Sequence, residues 1–288
     1  MKIIEDMEQG SEKWLKWRRT KITGTDASCI MGLNPWETAI QRWEKKRGFS
    51  AESEVTPAMQ RGMDLEPIAR EYFNEKRGIT FSPCIVEHES INWMAASLDG
   101  YHNGPIKSVL EIKCPGQADH QSALIGVVPK KYYPQLQHQL AVTGCDVLYY
   151  FSFDGKNGVT IEVPRYDEYI DKLIEAEKAF YKCLVTCTPP ELSERDYISR
   201  DDRQWGLATL NWKMAKEDLD LAIKIEASMR KELIEVSQSR NSKGCGVKVQ
   251  KIMRSGVIDY SKIQELEGVD LDSYRKPASE SWRITLDE

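Results

Sequence analysis

Two neighbouring segments of the chain carry residues whose types and spacing suit metal-assisted chemistry on a phosphate. Asp99 lies 12 residues before Glu111, and Lys113 lies two residues after Glu111. Positions two apart on a strand share a face, so Glu111 and Lys113 point one way while Leu110 and Ile112 point into a core. If Asp99 lies on the adjacent strand, two carboxylates and an amine converge. Mg²⁺ prefers such oxygen ligands, and the lysine then positions an attacking water or helps to deprotonate it.

A third acidic residue interrupts the apolar face of the preceding helix. Glu66 falls among residues at helical spacing on that face, namely Met59, Gly62, Met63, Ala69 and Phe73. A carboxylate in this position needs a partner. The partner is a metal ion with its waters, or else an ion pair with Arg61 or with Arg70 at i+4. In the same way, the pattern of Asp99, Glu111 and Lys113 also fits a surface ion pair on an edge strand.

Two further clusters suit the binding of phosphate. A basic and aromatic segment contains Trp14, Lys16, Trp17, Arg18, Arg19 and Lys21, followed by Thr23, Thr25 and Ser28. Cations before a helix start favour an anion, although a solvated surface has a similar composition, and the tryptophans are expected in the core. Gln135 and Gln139 share a helical face, whereas Gln137 does not. These amides suit phosphate oxygens or a bound water, but a polar helix surface would look the same.

The surrounding pattern predicts the elements that must position these residues. Helices are expected over 11–22, 38–48, 56–78, 117–126, 131–144 and 166–187, with Thr25 and Asp26 as N-cap candidates of a second short helix near the start. Strands are expected over 79–90, 91–101 and 108–115, and a hairpin over 146–164. Strands flanked by helices in this order indicate an α/β (α+β mixed) fold with a central mixed sheet.

After Thr188-Pro189-Pro190 the pattern changes, which predicts a core over 1–199 and an appended arm over 200–288. A long helix of roughly 50 Å is expected over 201–236, followed by short strands over 246–253, 255–260 and 281–286. The apolar residues of this long helix recur alternately four and three positions apart, as in a heptad, and only Glu226 interrupts the pattern. They are Ala208, Trp212, Ala215, Leu219, Ala222, Met229, Leu233 and Val236.

Composition describes a globular chain and excludes several classes. No run approaches the roughly 20 apolar residues of a membrane helix, and the first residues lack a secretory pattern, so the cytoplasm is the expected compartment. The seven cysteines have no paired spacing and are expected to be reduced thiols. A net charge of −5 does not favour DNA binding in general, but it says little about one groove.

The motifs taken in order resemble the YqaJ-like viral recombinase family, to which bacteriophage lambda exonuclease belongs, within the PD-(D/E)xK nuclease superfamily. They are W-x2-W-R…IT-x-T, R-G-x3-E, S-x-D-G…E-x-K-C-P and Q-x-Q, and they span about residues 11–187. The resemblance implies a Mg²⁺-dependent enzyme that degrades one strand of duplex DNA from the 5′ end by two-metal hydrolysis, in phage or prophage recombination within a bacterial host cell.

The resemblance also implies roles for single residues. Glu66, Asp99, Glu111 and the main-chain carbonyl of Ile112 would hold two Mg²⁺ ions, or Mn²⁺ in their place. Lys113 would orient the attacking water, and Gln135 would lie close to the scissile phosphate. Arg18, Thr25 and Ser97 match the positions that bind the 5′-phosphate, with Thr25 standing where serine is the familiar residue.

The expected partners are duplex DNA ends, two further copies in a homotrimeric ring and a single-strand annealing protein. The region after about residue 199 has no counterpart in the compact phage enzyme, so the resemblance assigns it no role. Two alternatives stay open: an endonuclease of the restriction or repair type on the same fold, and a non-catalytic DNA-binding protein.

Overall fold

A computed structural model of the protein describes residues 1–51, 54–238 and 240–252. The chain divides into two compact units, the first over Met1–Ile198 and the second beginning at Ser199. No helix among the described residues is long and apolar enough to cross a bilayer. The strands predicted over 255–260 and 281–286 lie outside the described residues.

The first unit has one six-stranded sheet, ordered β1-β2-β3-β4-β5-β6. Its strands are β1 (Lys2–Ile4), β2 (Ser82–Glu87), β3 (Ala95–His102), β4 (Ser108–Lys113), β5 (Val147–Phe153) and β6 (Gly158–Pro164). Strands β4 and β5 are parallel, and the other neighbours are antiparallel. The predicted central mixed sheet is therefore confirmed. The sequence reading missed β1, because three residues at a chain end are too few to show alternation.

Seven helices of the described chain belong to this unit. They are α1 (Glu12–Arg19), α2 (Gly24–Ile30), α3 (Ala39–Arg47), α4 (Pro57–Arg77), α5 (Gln117–Leu124), α6 (Tyr133–Thr143) and α7 (Asp167–Thr186). One core cluster contains Leu136 and Leu140 of α6 with Val109 and Tyr150 of the sheet. A second contains Ala69 and Phe73 of α4 with Leu110, Ile112 and Phe151. Helices thus cover both faces of the sheet, as predicted.

Two sequence expectations about the helices are wrong. Helix α2 is capped by Thr23, not by Thr25 or Asp26. The carboxylate of Asp26 instead accepts hydrogen bonds from the Thr23 N–H at 2.8 Å and the Thr23 hydroxyl at 3.0 Å. On α4 the expected apolar face is buried only in its second half, because Met59 and Met63 are exposed.

The second unit contains α8 (Arg203–Val236) and a hairpin of β7 (Ser242–Gly244) and β8 (Val247–Val249). The predicted long helix is confirmed, with 34 residues. Its N-cap Asp202 accepts a hydrogen bond from the Trp205 N–H at 3.0 Å. No residue of α8 is buried, so the helix keeps its apolar residues accessible, among them Leu219, Met229 and Leu233.

A buried ion cluster joins the first three helices. The Asp26 carboxylate lies 2.5 Å from Arg42 Nε and 2.8 Å from Lys46 Nζ. The same Lys46 ammonium donates to the carbonyl oxygens of Arg18 at 3.0 Å and Lys21 at 2.6 Å. Burial raises the pKa of Asp26. The positive charges of Lys46, Arg42 and Arg18 lower it by more than burial raises it, so the pKa of Asp26 lies well below its usual range. The cluster fixes the end of α1 against the start of α2.

Replacing this carboxylate tests the cluster. We expect Asp26→Asn to lower the free energy of unfolding by about 3–5 kcal/mol at pH 7, because it removes the carboxylate that Arg42 and Lys46 contact in the buried cluster. Since the folded pKa is depressed, this stabilisation is complete above the unfolded pKa of about 3.9 and is lost as pH falls below it. The difference between wild type and variant should therefore shrink in acid. Urea unfolding at pH 7 and across the acid range measures both effects.

Asp64→Asn is the matched control. Asp64 is an exposed residue of α4 whose carboxylate accepts one hydrogen bond from Gln60 at 2.8 Å, and such surface contacts contribute roughly 0–1 kcal/mol. Equal losses in the two variants would show that the buried cluster contributes nothing special.

Candidate active site

The central feature is a local opening of the sheet between β3 and β4. Their ladder ends at the pair Gly100 and Leu110. At the next position the carboxylate of Asp99 accepts a hydrogen bond from the Ile112 N–H at 2.8 Å. The side chain of Asp99 thus takes the place of a main-chain acceptor where the two strands separate.

A register shift on the other edge of β3 accompanies this opening. Leu98 pairs with Cys84 while Tyr101 pairs with Ser82, so β3 has one extra residue, as in a β-bulge. Leu98 and Tyr101 consequently face the same core cluster although they are three apart. Bulges re-aim side chains next to active sites. Gly100 is required here, because a Cβ at this position would lie 2.8 Å from Phe81 Cβ and 3.1 Å from Leu110 Cβ.

Strand β4 alternates as predicted. Leu110 and Ile112 pack against α4, whereas Glu111 and Lys113 line a cavity on the sheet. Glu111 is only 1% exposed, so its charge requires hydrogen-bond donors. Burial lowers the pKa of Lys113, but the carboxylates of Glu111 and Asp99 raise it above its usual value. Lys113 is therefore an ammonium ion at neutral pH.

Three donors surround the Glu111 carboxylate. Lys113 Nζ and Gln135 Nε2 each lie 2.5 Å from Oε1, and Gln139 Nε2 lies 2.6 Å from Oε2. The Oε1 atom of Gln139 is buried and has no hydrogen-bond partner. The sequence pattern places Gln139 on the same helical face as Gln135 but assigns it no specific role, because two glutamines four residues apart also occur on solvated helices.

Glu66 forms the ion pair expected at i+4 and also lines the cavity. Its carboxylate lies 3.2 Å from Arg70 Nη1. The same Arg70 nitrogen donates to the main-chain carbonyl of Asp99 at 2.6 Å. Arg70 therefore ties the helix that carries Glu66 to the strand that carries Asp99.

The residues expected to bind phosphate line the same cavity. Ser97 precedes Asp99 by two positions on β3, and its hydroxyl accepts a hydrogen bond from Trp14 Nε1 at 2.9 Å. The Arg18 guanidinium lies 5.0 Å from the centre of the Trp14 ring. Trp14 is buried, as expected, but it also lines the cavity and positions both groups.

Thr25 is exposed at the start of α2, beside a close approach between that helix and α6. A Cβ on Gly24 would lie 2.9 Å from Gln135 Cγ, so glycine is needed for the two helices to meet. Thr25 and Gln135 thereby reach the same space although they are more than a hundred residues apart in sequence.

One cavity of about 230 Å³ brings all nine predicted site residues together. These are Arg18, Thr25, Glu66, Ser97, Asp99, Glu111, Ile112, Lys113 and Gln135. The cavity is also lined by Gln9, Trp14, Thr23, Gly24 and Gln139. Trp14, Thr23 and Gln139 belong to the two clusters that the sequence suggests for phosphate binding, whereas the sequence analysis does not single out Gln9 and Gly24. The structure thus juxtaposes the predicted set.

The charges in the cavity fit a divalent cation. Burial raises the pKa of Asp99 well above its usual value, and the negative charges of Glu111 and Glu66 raise it further. A cation among these carboxylates would offset that repulsion. Over the described part of the chain, no three His, Cys, Asp or Glu side chains form a ready-made metal site. N–H groups contact one carboxylate oxygen of Glu66, one of Asp99 and both of Glu111.

Comparison with known proteins identifies a family that this chain resembles. Residues 13–146 match the YqaJ-like viral recombinase domain, a span that contains all nine predicted residues. This part of the chain is therefore similar to a YqaJ-like viral recombinase domain. An uncharacterized protein YqaJ of Bacillus subtilis (strain 168) is 32% identical over 189 residues, which cover 64% of this chain and 59% of that protein. A mimivirus protein from Acanthamoeba polyphaga mimivirus is 24% identical over 230 residues, covering 71% of this chain and 39% of its own length. The chain thus spans less than two thirds of each relative.

The chain also has the fold of a solved nuclease. The alkaline exonuclease LHK-Exo from Laribacter hongkongensis is 25% identical, with a TM-score of 0.54, and the match covers 62% of this chain and 94% of that enzyme. A second structure of LHK-Exo, with equal similarity, is a complex with dAMP. The predicted α/β nuclease fold is therefore confirmed.

The contact between Gln139 and Glu111 leads to a prediction about stability. We expect Gln139→Leu to lower the free energy of unfolding by about 1.5–3 kcal/mol, because a hydrogen bond to a buried carboxylate is lost. Urea unfolding at neutral pH measures the change. Gln121→Leu, at an exposed position of α5, serves as the control, and a Gln139 variant as stable as that control would contradict the assigned role.

Proposed function

We propose that the protein is a Mg²⁺-dependent exonuclease that digests one strand of double-stranded DNA from the 5′ end during phage or prophage recombination. The observation that carries the proposal is the single cavity in which three carboxylates and Lys113 meet Arg18, Thr25 and Ser97. The likeness to an alkaline exonuclease over 94% of that enzyme supports it.

In this proposal Glu66, Asp99, Glu111 and the main-chain carbonyl of Ile112 hold two Mg²⁺ ions, for which Mn²⁺ substitutes. The negative charges of Glu111 and Glu66 raise the pKa of Asp99, and three carboxylates so close together are a donor set suited to such ions. When bound, the metal supplies Lewis acidity that stabilises negative charge on the phosphate.

Lys113 orients the attacking water. An ammonium has three N–H donors, and two of them are directed at Glu111 Oε1 and at Gln135 Oε1, the latter at 3.2 Å. The third is left for a water molecule. Gln139 Oε1 offers an acceptor in the same cavity, and in this proposal Gln135 contacts the scissile phosphate.

A second group of cavity residues binds the 5′-phosphate in this proposal. Arg18 supplies positive charge, while Thr25 and Ser97 supply hydroxyl donors. Anchoring of the terminal phosphate explains why an end-specific enzyme has this pocket, whereas an endonuclease on the same fold has no use for it.

The proposal extends to assembly and location. Three copies form a ring around duplex DNA, which retains the substrate in spite of a net charge of −5, and a single-strand annealing protein takes up the product strand. The enzyme acts in the cytoplasm of a bacterial host cell. A solution mass of one chain at working concentration would contradict the ring.

Digestion of end-labelled DNA tests the activity. With Mg²⁺ present we expect a linear duplex to be shortened from its 5′ ends, faster when they are phosphorylated, and we expect closed circles to survive. Arg18→Ala should remove most of the preference for phosphorylated ends. Cleavage of closed circles at a comparable rate would favour the endonuclease, and no cleavage with Mg²⁺ or Mn²⁺ would favour a non-catalytic DNA-binding protein.

The role of Lys113 has a separate test. We expect Lys113→Ala to lower the cleavage rate at least about 100-fold, while the dissociation constant for duplex DNA changes little. Lys107→Ala is the matched control, since Lys107 is an exposed lysine just before the same strand. A Lys113 variant that cleaves at the rate of the Lys107 variant would remove the lysine from the mechanism.

A further inference from the structure

A line of aromatic and cationic side chains runs from the cavity to the protein surface. Lys113 Nζ lies 5.3 Å from the centre of the Tyr132 ring. Lys131 Nζ lies 5.2 Å from the same ring and 4.6 Å from the ring of Trp36. Trp36 is 71% exposed. We call Tyr132, Lys131 and Trp36 the aromatic track.

The loop that carries Trp36 is braced. Asn34 Oδ1 accepts hydrogen bonds from the main-chain N–H groups of Trp36 at 2.8 Å and Glu37 at 3.0 Å. Arg195 donates to the carbonyl oxygens of Asn34 at 2.6 Å and Pro35 at 2.8 Å. The indole is therefore held in solvent by a fixed backbone, and a ligand would bind it with little further loss of conformational entropy.

Lys131 is fixed as well. Its ammonium lies 2.7 Å from Asp119 Oδ2, which also accepts the Tyr132 hydroxyl at 3.2 Å, and its carbonyl oxygen accepts the Ser28 hydroxyl at 2.7 Å. Asp119 offsets the charge of Lys131, so a ligand of the track is attracted mainly by the rings. The cation lies against the Trp36 ring and leaves most of the indole accessible.

We propose that the aromatic track binds unpaired bases of a single DNA strand next to the cavity, with Trp36 stacking on one of them. This inference rests on the proposed nuclease function. The track adjoins the cavity at Lys113, which lines the cavity and contacts the Tyr132 ring, so a strand with its terminal nucleotide in the cavity can continue along the track. Stacking on aromatic rings accepts any base, which suits digestion without sequence preference.

Binding of a short oligothymidylate to the full-length protein, with EDTA present to prevent cleavage, tests the track. Loss of one stacking contact costs about 1–3 kcal/mol, so we expect Trp36→Ala to raise the dissociation constant roughly 5- to 100-fold, and Trp36→Phe to retain most of the affinity. Part of the tryptophan fluorescence should be quenched on binding in the wild type, and this part should be absent in Trp36→Ala.

Phe49→Ala is the matched control. Phe49 is 62% exposed and follows α3, but its ring contacts Trp43 and is not part of the track. Equal affinities of wild type, Trp36→Ala and Phe49→Ala for the oligothymidylate would overturn the track. A change in self-association with unchanged DNA affinity in Trp36→Ala would overturn it too, because Trp36 would then belong to a subunit contact.

Failure of the nuclease proposal would look different. A wild-type protein that binds the oligothymidylate through Trp36 but leaves duplex DNA uncut would support the track while contradicting the exonuclease. If the wild-type protein digests duplex DNA and the Trp36→Ala variant binds and digests DNA equally well, the exonuclease is supported and the track is contradicted.

Discussion

A buried carboxylate in the centre of the sheet is the constraint on which the site depends. Glu111 belongs to β4, which is paired on both sides and buried, so its charge must be stabilised by donors from the protein. Lys113 supplies one from the same strand. The other two come from Gln135 and Gln139, and they require α6 to lie across this face of the sheet. The position of a whole helix is thus linked to one side chain.

Helix α6 meets this requirement through consecutive buried polar residues that bind different parts of the fold. Gln137 donates to the carbonyl of Pro164 at 2.9 Å and accepts from the Tyr166 N–H at 3.0 Å. His138 contacts the Glu177 carboxylate at 2.6 Å and the Ala95 carbonyl at 2.9 Å. Burial lowers the pKa of His138, but Glu177 raises it above its usual value. These contacts fix the helix rotation that points Gln135 and Gln139 at Glu111.

The sequence predicted the parts of this site that follow from local periodicity. Alternation placed Glu111 and Lys113 on one face of a strand, and helical spacing placed Glu66 beside a core. Contacts between distant segments were not predictable in this way. Gln139 and Trp14 were left out because a polar helix face and a core tryptophan have the same local pattern whether or not they line a cavity. No local pattern in the sequence marks Trp36, since only the fold shows that its ring lies against Lys131.

The cavity is lined by both acidic and basic side chains. Glu66, Asp99 and Glu111 repel a phosphate as well as one another, and a net charge of −5 adds no general attraction. Arg18 and Lys113 provide local positive charge, but Lys113 is already engaged by Glu111. For the proposed nuclease, attraction of a DNA strand would come from Arg18, from cations held between the carboxylates and from contacts independent of charge. Base stacking on an exposed, braced indole is such a contact, because it persists at salt concentrations that screen phosphate binding. Under that proposal the acidic centre and the aromatic track are complementary ways of holding an anionic strand on an acidic protein.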